Sequence, residues 1–199
     1  ALTVPQVPVD TWRLRIDGMV RQPLELSYDD LLGRDLVEAD ITMTCVSNEV
    51  GGGLVGNARW LGVRLDELLD EVGVEDRADQ VVGRSFDGYT CGFPVDTLDG
   101  RDALVAVGMN GEPLPLRHGF PARLIVPGLY GYVSATKWLT QIELTRFDAF
   151  DQYWVPRGYA VQAPIKTMSR IDTPRSLERV HAGRVVVAGG VQVNAAADY

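Results

Sequence analysis

The sequence predicts an α+β fold in which mixed β-sheets are flanked by helices. Strand-like and helix-like segments follow one another without the repeated β-α-β order of a doubly wound sheet. Trp12–Ile16 alternates apolar and charged residues, which indicates a strand, whereas Leu61–Val72 has apolar residues at helical spacing and ends before Gly73, a C-cap residue. Most later segments are short apolar runs typical of strands.

Local signals predict the remaining elements. Ser27, with Asp30 three residues later, is typical of the start of a helix. Asp40–Val46 predicts a strand that runs into a polar, glycine-rich loop over Ser47–Asn57. Asn110–Gly111 is a strong hairpin signal. Further short strands are expected at Val81–Val82, Tyr89–Phe93, Ala103–Met109, Arg123–Val126 and Trp138–Leu144.

The chain divides into two predicted domains, residues 1–160 and residues 161–199. Asp148–Pro164 is rich in aromatic residues, Pro and Gly, and the boundary is placed near Tyr159–Pro164. The following segment has β-like character, most clearly over Val185–Val191. About 40 residues cannot close a two-sheet sandwich, which takes on the order of 100. We therefore expect the second domain to be only the start of a β-sandwich.

Composition excludes several classes of function. The 199 residues are 46% hydrophobic and carry a net charge of −8, which argues against general nucleic-acid binding because that needs a basic face. No segment approaches the roughly 18 consecutive apolar residues of a membrane helix. Ala1–Pro5 has neither the charged nor the apolar region of a signal peptide. We therefore expect that the chain begins within a longer sequence and that a segment precedes Ala1.

The two cysteines, Cys45 and Cys91, are far apart and form no Cys-x-x-Cys pattern, which leaves tetrahedral zinc and c-type haem without support. They are either joined by one disulfide or separate. Cys91 lies in an alternating segment and is expected in the core. Cys45 stands where a strand meets a polar loop, a suitable place for a thiolate that binds a soft metal. The alternative for Cys45 is a buried structural cysteine.

Two further segments could bind an anion. Gly51–Gly53 begins a stretch whose backbone N–H groups could converge on a phosphate, although it is neither a nucleotide fingerprint nor a P-loop. Arg117, His118, Arg123 and Lys137 gather cationic side chains in an otherwise acidic chain. The alternatives are an ordinary glycine loop and a set of solvated surface charges. Because histidine is scarce and no Gly-x-Ser-x-Gly motif occurs, a serine hydrolase is unsupported.

These segments, in this order, resemble the molybdopterin-binding domain of the sulfite oxidase family. The resemblance covers Trp12–Leu144, and it is carried by Thr42–Cys45, Asn57–Leu65, His118–Arg123, Val126–Gly128 and Lys137–Leu139. It implies a sulfite oxidase-like molybdopterin-binding fold. It also implies that the segment from Ile165 onward begins an immunoglobulin-like dimerisation domain, and thus a homodimer of the full-length protein.

The resemblance also implies a cofactor and the residues that hold it. The cofactor would be molybdenum with molybdopterin, in its non-dinucleotide form, and Cys45 would be the thiolate ligand to the metal. Tyr153 and Tyr159 fall where the family has a catalytic tyrosine, and Tyr153 is our candidate. The residues expected to bind the pterin, its phosphate or the surrounding cofactor are Asn57, Arg59, His118, Arg123, Ala135, Thr136 and Lys137.

The implied activity is two-electron oxygen-atom transfer on a small molecule. Sulfite oxidases carry arginines just after the ligand cysteine, where this chain has Glu49 and Val50. Since a carboxylate repels a sulfite dianion, we expect a substrate other than sulfite. With no haem motif in the chain, electrons would pass to a separate cytochrome or membrane subunit. The resemblance favours an extracytoplasmic location, in the periplasm or at the cell surface, with anchoring through the segment before Ala1.

Two other functions stay open from the residues alone. The first is a cysteine-dependent hydrolase or transferase that uses Cys45 with His118 as nucleophile and base. The second is a secreted binding module without catalytic activity, in which Cys45 is an inert core residue and the C-terminal segment belongs to a β-sandwich.

Overall fold

The computed structural model describes residues 3–49 and 51–192. The strands of this part are β1 (Leu14–Gly18), β2 (Leu24–Leu26), β3 (Val37–Thr44), β4 (Val55–Arg64), β5 (Gln80–Ser85), β6 (Thr90–Pro94), β7 (Leu104–Met109), β8 (Glu112–Pro113), β9 (Arg123–Ile125), β10 (Leu139–Thr145), β11 (Met168–Thr173) and β12 (Ala188–Gln192). The α-helices are α1 (Tyr28–Leu32), α2 (Leu65–Val72) and α3 (Gly131–Ser134), and single 3₁₀ turns lie at Val95–Thr97, Leu116–His118 and Val155–Arg157.

The strands of the described part form two five-stranded sheets and one separate hairpin. The first sheet has the order β2-β1-β10-β5-β6, in which β1 runs parallel to β10 and the other pairs are antiparallel. The second sheet has the order β3-β4-β7-β8, with β9 also paired to β7. Strands β11 and β12 pair with each other. Mixed sheets with short helices confirm the predicted α+β class.

Two of the predicted helix signals act as expected. The side chain of Ser27 accepts a hydrogen bond from the backbone N–H of Asp30, and the Asp30 carboxylate accepts one from the Ser27 N–H, which together form a capping box at α1. Helix α2 buries Leu65, Leu68, Leu69 and Val72 and ends at Gly73 in the left-handed region, at a φ of 66°.

Most of the apolar side chains form one large core, and a smaller core lies under the second sheet. The large core packs the first sheet against α2 and includes Leu14, Ile16, Leu68 and Phe93. The smaller core comprises Ile41, Ala58, Trp60, Leu104, Ala106, Leu114 and Ile125. This smaller core matters for function because it lies beside the cationic residues described below.

The structure corrects the prediction around β4. The predicted loop ends at Leu54 rather than Asn57, and Leu61–Arg64, predicted as helix, is the end of a strand. The backbone N–H and C=O groups of this segment pair with β3 on one side and β7 on the other. Burial of alternate residues Ala58 and Trp60 stabilises the strand, so tertiary pairing overrides the helical spacing of the leucines. The helix itself begins at Leu65.

Only part of the strand predicted in the C-terminal segment is a strand in the structure. Ala188–Gln192 forms β12, but Val185–Val187 is not in a strand, and residues 193–199 lie outside the described part. The domain boundary at residue 160 and the immunoglobulin-like character of this segment stay predictions. Within the described ranges, no helix combines the length and the apolar character that crossing a bilayer requires.

Candidate functional site

The end of β3 meets the start of α3 at one end of the sheets. A Cβ atom placed on Gly131 would lie 3.9 Å from both the Thr44 carbonyl oxygen and Cε of Met43. Tyr89 is the residue before β6, and its hydroxyl donates to the Tyr132 carbonyl oxygen at 3.0 Å. The segment that carries Cys45 is therefore neighbour to α3 and, through it, to the first sheet.

Cys45 is the first residue after β3, and its side chain is exposed. Its backbone N–H donates to the Leu54 carbonyl oxygen at 3.0 Å, and its Sγ lies 3.0 Å from Oγ of Ser47. The alternative of a buried structural cysteine is therefore wrong. Both cysteines are free, so the disulfide alternative is also wrong. An exposed thiol at the end of a rigid strand is accessible to a ligand.

The segment from residue 45 to residue 54, here called the cysteine loop, is held by a few hydrogen bonds. Oδ1 of Asn48 accepts from the Leu54 N–H at 2.8 Å, and the Gly52 N–H donates to the Glu49 carbonyl oxygen at 2.8 Å. Nη1 of Arg170, on β11, donates to the Gly52 carbonyl oxygen at 2.6 Å. Since Arg170 also pairs with Asp172 at 2.7 Å, the C-terminal hairpin braces the loop.

Arg123 begins β9 and is almost fully buried, with 4% of its surface exposed. Its Nη1 donates to the His118 carbonyl oxygen at 3.0 Å, and its guanidinium carbon lies 5.0 Å from the centroid of the Trp60 ring. Its Nε has no hydrogen-bond partner among the described residues. Burial lowers the pKa of Arg123 to about 10, so the group is still charged at neutral pH. A buried cation with an unsatisfied donor is a ready site for an anion.

Arg117, His118 and Lys137 surround Arg123 and complete what we call the cation cluster. Burial is the main cause that lowers the pKa of His118, and Arg123 is the next. The pKa of Lys137 is lowered by the same two causes in the same order. The Lys137 ammonium donates to the Arg117 carbonyl oxygen at 3.2 Å and lies 4.3 Å from the centroid of the Trp138 ring. Neighbouring positive charges thus help to lower the pKa values of His118 and Lys137. Such a concentration of cations is expected where a negative ligand binds.

A cavity of about 600 Å³ opens beside three members of the cation cluster. Its walls, within the described ranges, contain no acidic side chain; they are Thr3, Val4, Pro115, Arg117, His118, Lys137 and Trp138. The volume is within the range of small-molecule sites. The cavity is therefore suited to an anionic group such as a phosphate.

Ala135 and Thr136 follow α3 and link it to Lys137. Oγ1 of Thr136 is buried 2.6 Å from Sγ of Cys91, and the Thr136 carbonyl oxygen accepts from the Leu124 N–H at 2.8 Å. Cys91 is completely buried, which confirms its predicted place in the core. Burial raises the pKa of Cys91 to about 12, so its thiol stays protonated at neutral pH and is a poor nucleophile.

Asn57 and Arg59 lie apart from the cation cluster. Oδ1 of Asn57 accepts from the Thr42 hydroxyl at 3.0 Å, and Nε of Arg59 is 3.2 Å from the Asp40 carboxylate. Because side chains alternate along a strand, they project from the face opposite to Trp60, on which Arg123 packs. They lie in an exposed strand, not in the predicted loop, and their role in cofactor binding stays a prediction.

Tyr153 and Tyr159 belong to a chain of neighbouring aromatic rings. Successive ring centroids along Tyr89, Tyr153, Trp154, Tyr159 and Tyr132 are 5.6, 5.2, 4.8 and 5.3 Å apart. Tyr153 packs on Tyr89, whereas Tyr159 packs on Tyr132, which directly follows Gly131, a residue close to the end of β3. Tyr159 is thus closer in the contact network to Cys45 than Tyr153, our sequence candidate. The contacts with Tyr132, which no sequence motif signals, establish this.

A metal at this site would need ligands that the protein does not supply. Among the described residues, no group of three or more His, Cys, Asp or Glu side chains could hold a metal ion. If the metal is carried by an anionic organic group, the protein needs to supply only two features. One is an accessible thiol as a ligand to the metal, and the other is a cationic cavity for the anionic group. The residues present therefore fit a phosphate-bearing cofactor whose metal takes one thiolate from the protein.

The comparisons with known proteins agree with this arrangement. Residues 1–154 match the family described as oxidoreductase molybdopterin binding domain. The chain is 34% identical over 148 residues to the uncharacterized oxidoreductase YuiH of Bacillus subtilis, which covers 74% of this chain and 72% of that protein. It is 30% identical over 230 aligned residues to mitochondrial sulfite oxidase of Homo sapiens, which covers 94% of this chain and 42% of the enzyme.

A solved structure shows the same fold. The sulfane dehydrogenase SoxCD from Paracoccus pantotrophus superposes with a TM-score of 0.71 and 25% sequence identity, over 86% of this chain and 50% of that one. This chain thus spans half or less of that relative and of human sulfite oxidase. These matches show an oxidoreductase family, so the alternatives of a cysteine-dependent hydrolase or transferase and of a binding module are wrong. The chain belongs to the molybdopterin-binding oxidoreductase domain family, with a sulfite oxidase-like fold and molybdenum–molybdopterin as its cofactor.

Proposed function

We propose that this domain catalyses two-electron oxygen-atom transfer on a small molecule other than sulfite, with Cys45 as the protein's ligand to molybdenum. The observation that carries the proposal is the exposed Cys45 thiol at the end of β3, on the sheet whose Trp60 packs on the buried Arg123. When bound, the cofactor supplies the two-electron redox chemistry. The protein's part is to hold it, to orient it and to shape the space for the substrate.

The cation cluster is the proposed binding site for the pterin and its phosphate. Arg123 contributes a charged group that is already desolvated and whose Nε has no hydrogen-bond partner within the described part of the chain. His118 and Lys137 border the adjoining cavity, and the pKa of each is lowered, so an anion that binds there would raise both pKa values again. Ala135 and Thr136 would contribute backbone groups, since the Thr136 hydroxyl is occupied by Cys91.

The cysteine loop is the proposed source of substrate discrimination. Glu49 is exposed on this loop, and Val50 lies outside the described residues. A carboxylate near the metal ligand would repel a sulfite dianion and supplies none of the paired donors with which arginine binds such oxyanions. This charge supports a substrate other than sulfite, in either direction of oxygen transfer.

Two parts of the proposal concern the protein's surroundings. Two-electron chemistry at the metal needs a second redox partner, and the residues that match the family contain no haem-attachment motif. We propose a separate cytochrome or membrane subunit as electron-transfer partner. We also propose an extracytoplasmic location for the complex, which rests on the family resemblance alone. A homodimer of the full-length protein belongs to the same proposal.

The test compares Cys45→Ser with Cys91→Ser in protein made by a host that synthesises the cofactor. Loss of turnover, measured by screening oxidised and reduced small molecules with an artificial electron carrier, is expected only for Cys45→Ser, because serine replaces the soft ligand with a hard one. Cys91→Ser is a matched control, since a hydroxyl can keep the contact with Thr136. Normal turnover by Cys45→Ser would overturn the proposed ligand.

A further inference from the structure

A second cavity, which we call the tyrosine groove, opens beside the cysteine loop. It has a volume of about 530 Å³ and is lined mainly by apolar and aromatic groups, including Val46, Tyr130, Tyr132, Pro164, Ile165 and Lys166. This size is typical of small-molecule sites, whose walls are mostly apolar. It shares no lining residue with the cavity of the cation cluster.

Two backbone hydrogen bonds and one from a tyrosine side chain fix the two walls of the tyrosine groove. The Tyr130 N–H donates to the Ala163 carbonyl oxygen at 2.9 Å, and the Ile165 N–H donates to the Gly128 carbonyl oxygen at 2.8 Å. The Tyr132 hydroxyl donates to the Ala160 carbonyl oxygen at 2.9 Å. Residues 160–165 are therefore attached to the segment before and within α3, and the groove is formed before a ligand arrives.

The tyrosine groove begins next to the proposed metal ligand. Val46 follows Cys45 directly and is 41% exposed. On the other side, Gly131, which lies between the two groove tyrosines, is close to Met43 and Thr44 at the end of β3. A molecule in the groove would thus have one end near Cys45.

The chemistry of the walls indicates what kind of molecule would bind. Lys166 is the one charged side chain among the described residues that line the groove, and no arginine is among them. Resting on the proposed function, we propose that the tyrosine groove is the substrate subsite and takes an uncharged small molecule with an aromatic or alkyl substituent. The substituent lies against the tyrosines, Pro164 and Ile165, and the oxygen-bearing end faces Cys45.

Binding of methyl phenyl sulfone to the holoenzyme, measured by calorimetry, tests the subsite. The groove residues Ala160 and Gln162 are each replaced by Trp to fill the space, and Val161→Trp is the matched control because Val161 does not line the groove. We expect Ala160→Trp and Gln162→Trp each to weaken binding about tenfold or more, and Val161→Trp by less than about twofold. Unchanged affinity in both groove variants, each folded by circular dichroism, would overturn the proposal.

The charge preference has its own test. Lys166→Gln should bind the sulfone within about twofold of the original protein, because an uncharged ligand needs no counter-charge. Sodium sulfate, added at constant ionic strength, should not compete with the sulfone. Competition by sulfate, or loss of sulfone binding in Lys166→Gln, would show an anion site and contradict the inference.

The same samples separate this inference from the proposed function. Molybdenum and pterin are measured in every preparation. Sulfone binding that follows the groove substitutions in protein unable to retain molybdenum would uphold the groove and count against the proposed function. Molybdenum-replete protein that binds no sulfone would overturn the groove alone.

Discussion

Arg123, the buried member of the cation cluster, is built into the protein core, whereas the cysteine loop lies on the surface and is held by a handful of hydrogen bonds. Arg123 is fixed by the Trp60 ring and by the His118 carbonyl oxygen, and it is desolvated before any ligand arrives. Cys45, by contrast, has an exposed thiol in a loop that depends on Leu54, Asn48 and the distant Arg170.

This difference separates two tasks of a cofactor site. Preorganised, buried donors raise affinity because little is reorganised on binding, but they weaken the free protein because a buried charge is costly without a partner. An exposed thiol has little effect on the free energy of unfolding, and its role is to bind the metal. We therefore expect substitutions in the cation cluster to change how much cofactor the protein retains. Substitutions in the cysteine loop should change the position and mobility of the segment that carries the Cys45 thiol.

The largest effect is expected for Arg123→Met, which keeps the volume but removes the charge. Charge-assisted hydrogen bonds are worth about 1.5–3 kcal/mol each, so cofactor affinity should fall about 10-fold to 100-fold. The melting temperature of the metal-free protein should change by only a few degrees, roughly, because a costly buried cation is also removed. Cofactor content after gel filtration and a thermal melt would measure both effects.

Leu124→Ala is the matched control for Arg123→Met. Leu124 is fully buried beside Arg123, and its truncation should cost roughly 2–5 kcal/mol of unfolding free energy. If Arg123→Met destabilised the metal-free protein as much as Leu124→Ala, the cluster would be a structural element, and the contrast between the two regions would fail.

A smaller effect is expected for Arg170→Ala, which removes the contact with the Gly52 carbonyl oxygen. Because the cysteine loop opens more often, the hydrogen-bonded backbone N–H of Cys45 should exchange with deuterium about threefold faster or more in the metal-free protein. Cys91 should stay protected in the core. Peptide mass spectrometry measures both rates, with Arg179→Ala, exposed in the same terminal segment, as control. Equal Cys45 rates in all three proteins would contradict the bracing role.

The pKa of His118 should report the effect of the neighbouring cations of the cation cluster. Its folded pKa lies below the unfolded value of about 6.5, so between these pKa values the unfolded chain binds more protons. The metal-free protein should therefore lose stability as pH falls through this window, and His118→Gln should remove that part of the loss. NMR titration, with His181→Gln to assign the signals, should show a higher His118 pKa once the cofactor phosphate is bound.

The smallest effect is expected for Arg59→Gln. Arg59 is exposed and pairs with Asp40 on the face of the second sheet away from Arg123. Molybdenum and pterin contents should match those of the original protein. A clear drop in either content would support the sequence-based expectation that Arg59 binds the cofactor, and would show that the site extends to both faces of this sheet.

The sequence predicted local features better than contacts between distant segments. The capping box at Ser27, the glycine end of α2 and the core position of Cys91 follow from nearby residues, and the structure confirms them. The β4 strand was missed because its pairing with β3 and β7 decides its conformation, and leucine spacing alone suggested a helix.

The same limit applies to the candidate site. Family resemblance identified Cys45, His118, Arg123 and Lys137, and the structure brings the last three together around one buried charge. No pattern in the sequence could show that Arg170 reaches the cysteine loop from more than a hundred residues away, or that Tyr159 packs on Tyr132. These contacts depend on how the C-terminal segment returns to the first domain.

X-ray absorption at the molybdenum edge tests the central claim most directly, since it counts the sulfur atoms around the metal. The original protein and Cys45→Ser are compared in samples with equal pterin content. We expect both to retain molybdenum through the cation cluster, and Cys45→Ser to have one sulfur neighbour fewer. An identical sulfur shell in the two proteins would contradict the assignment of Cys45 as the ligand and, with it, the division of the site into two halves.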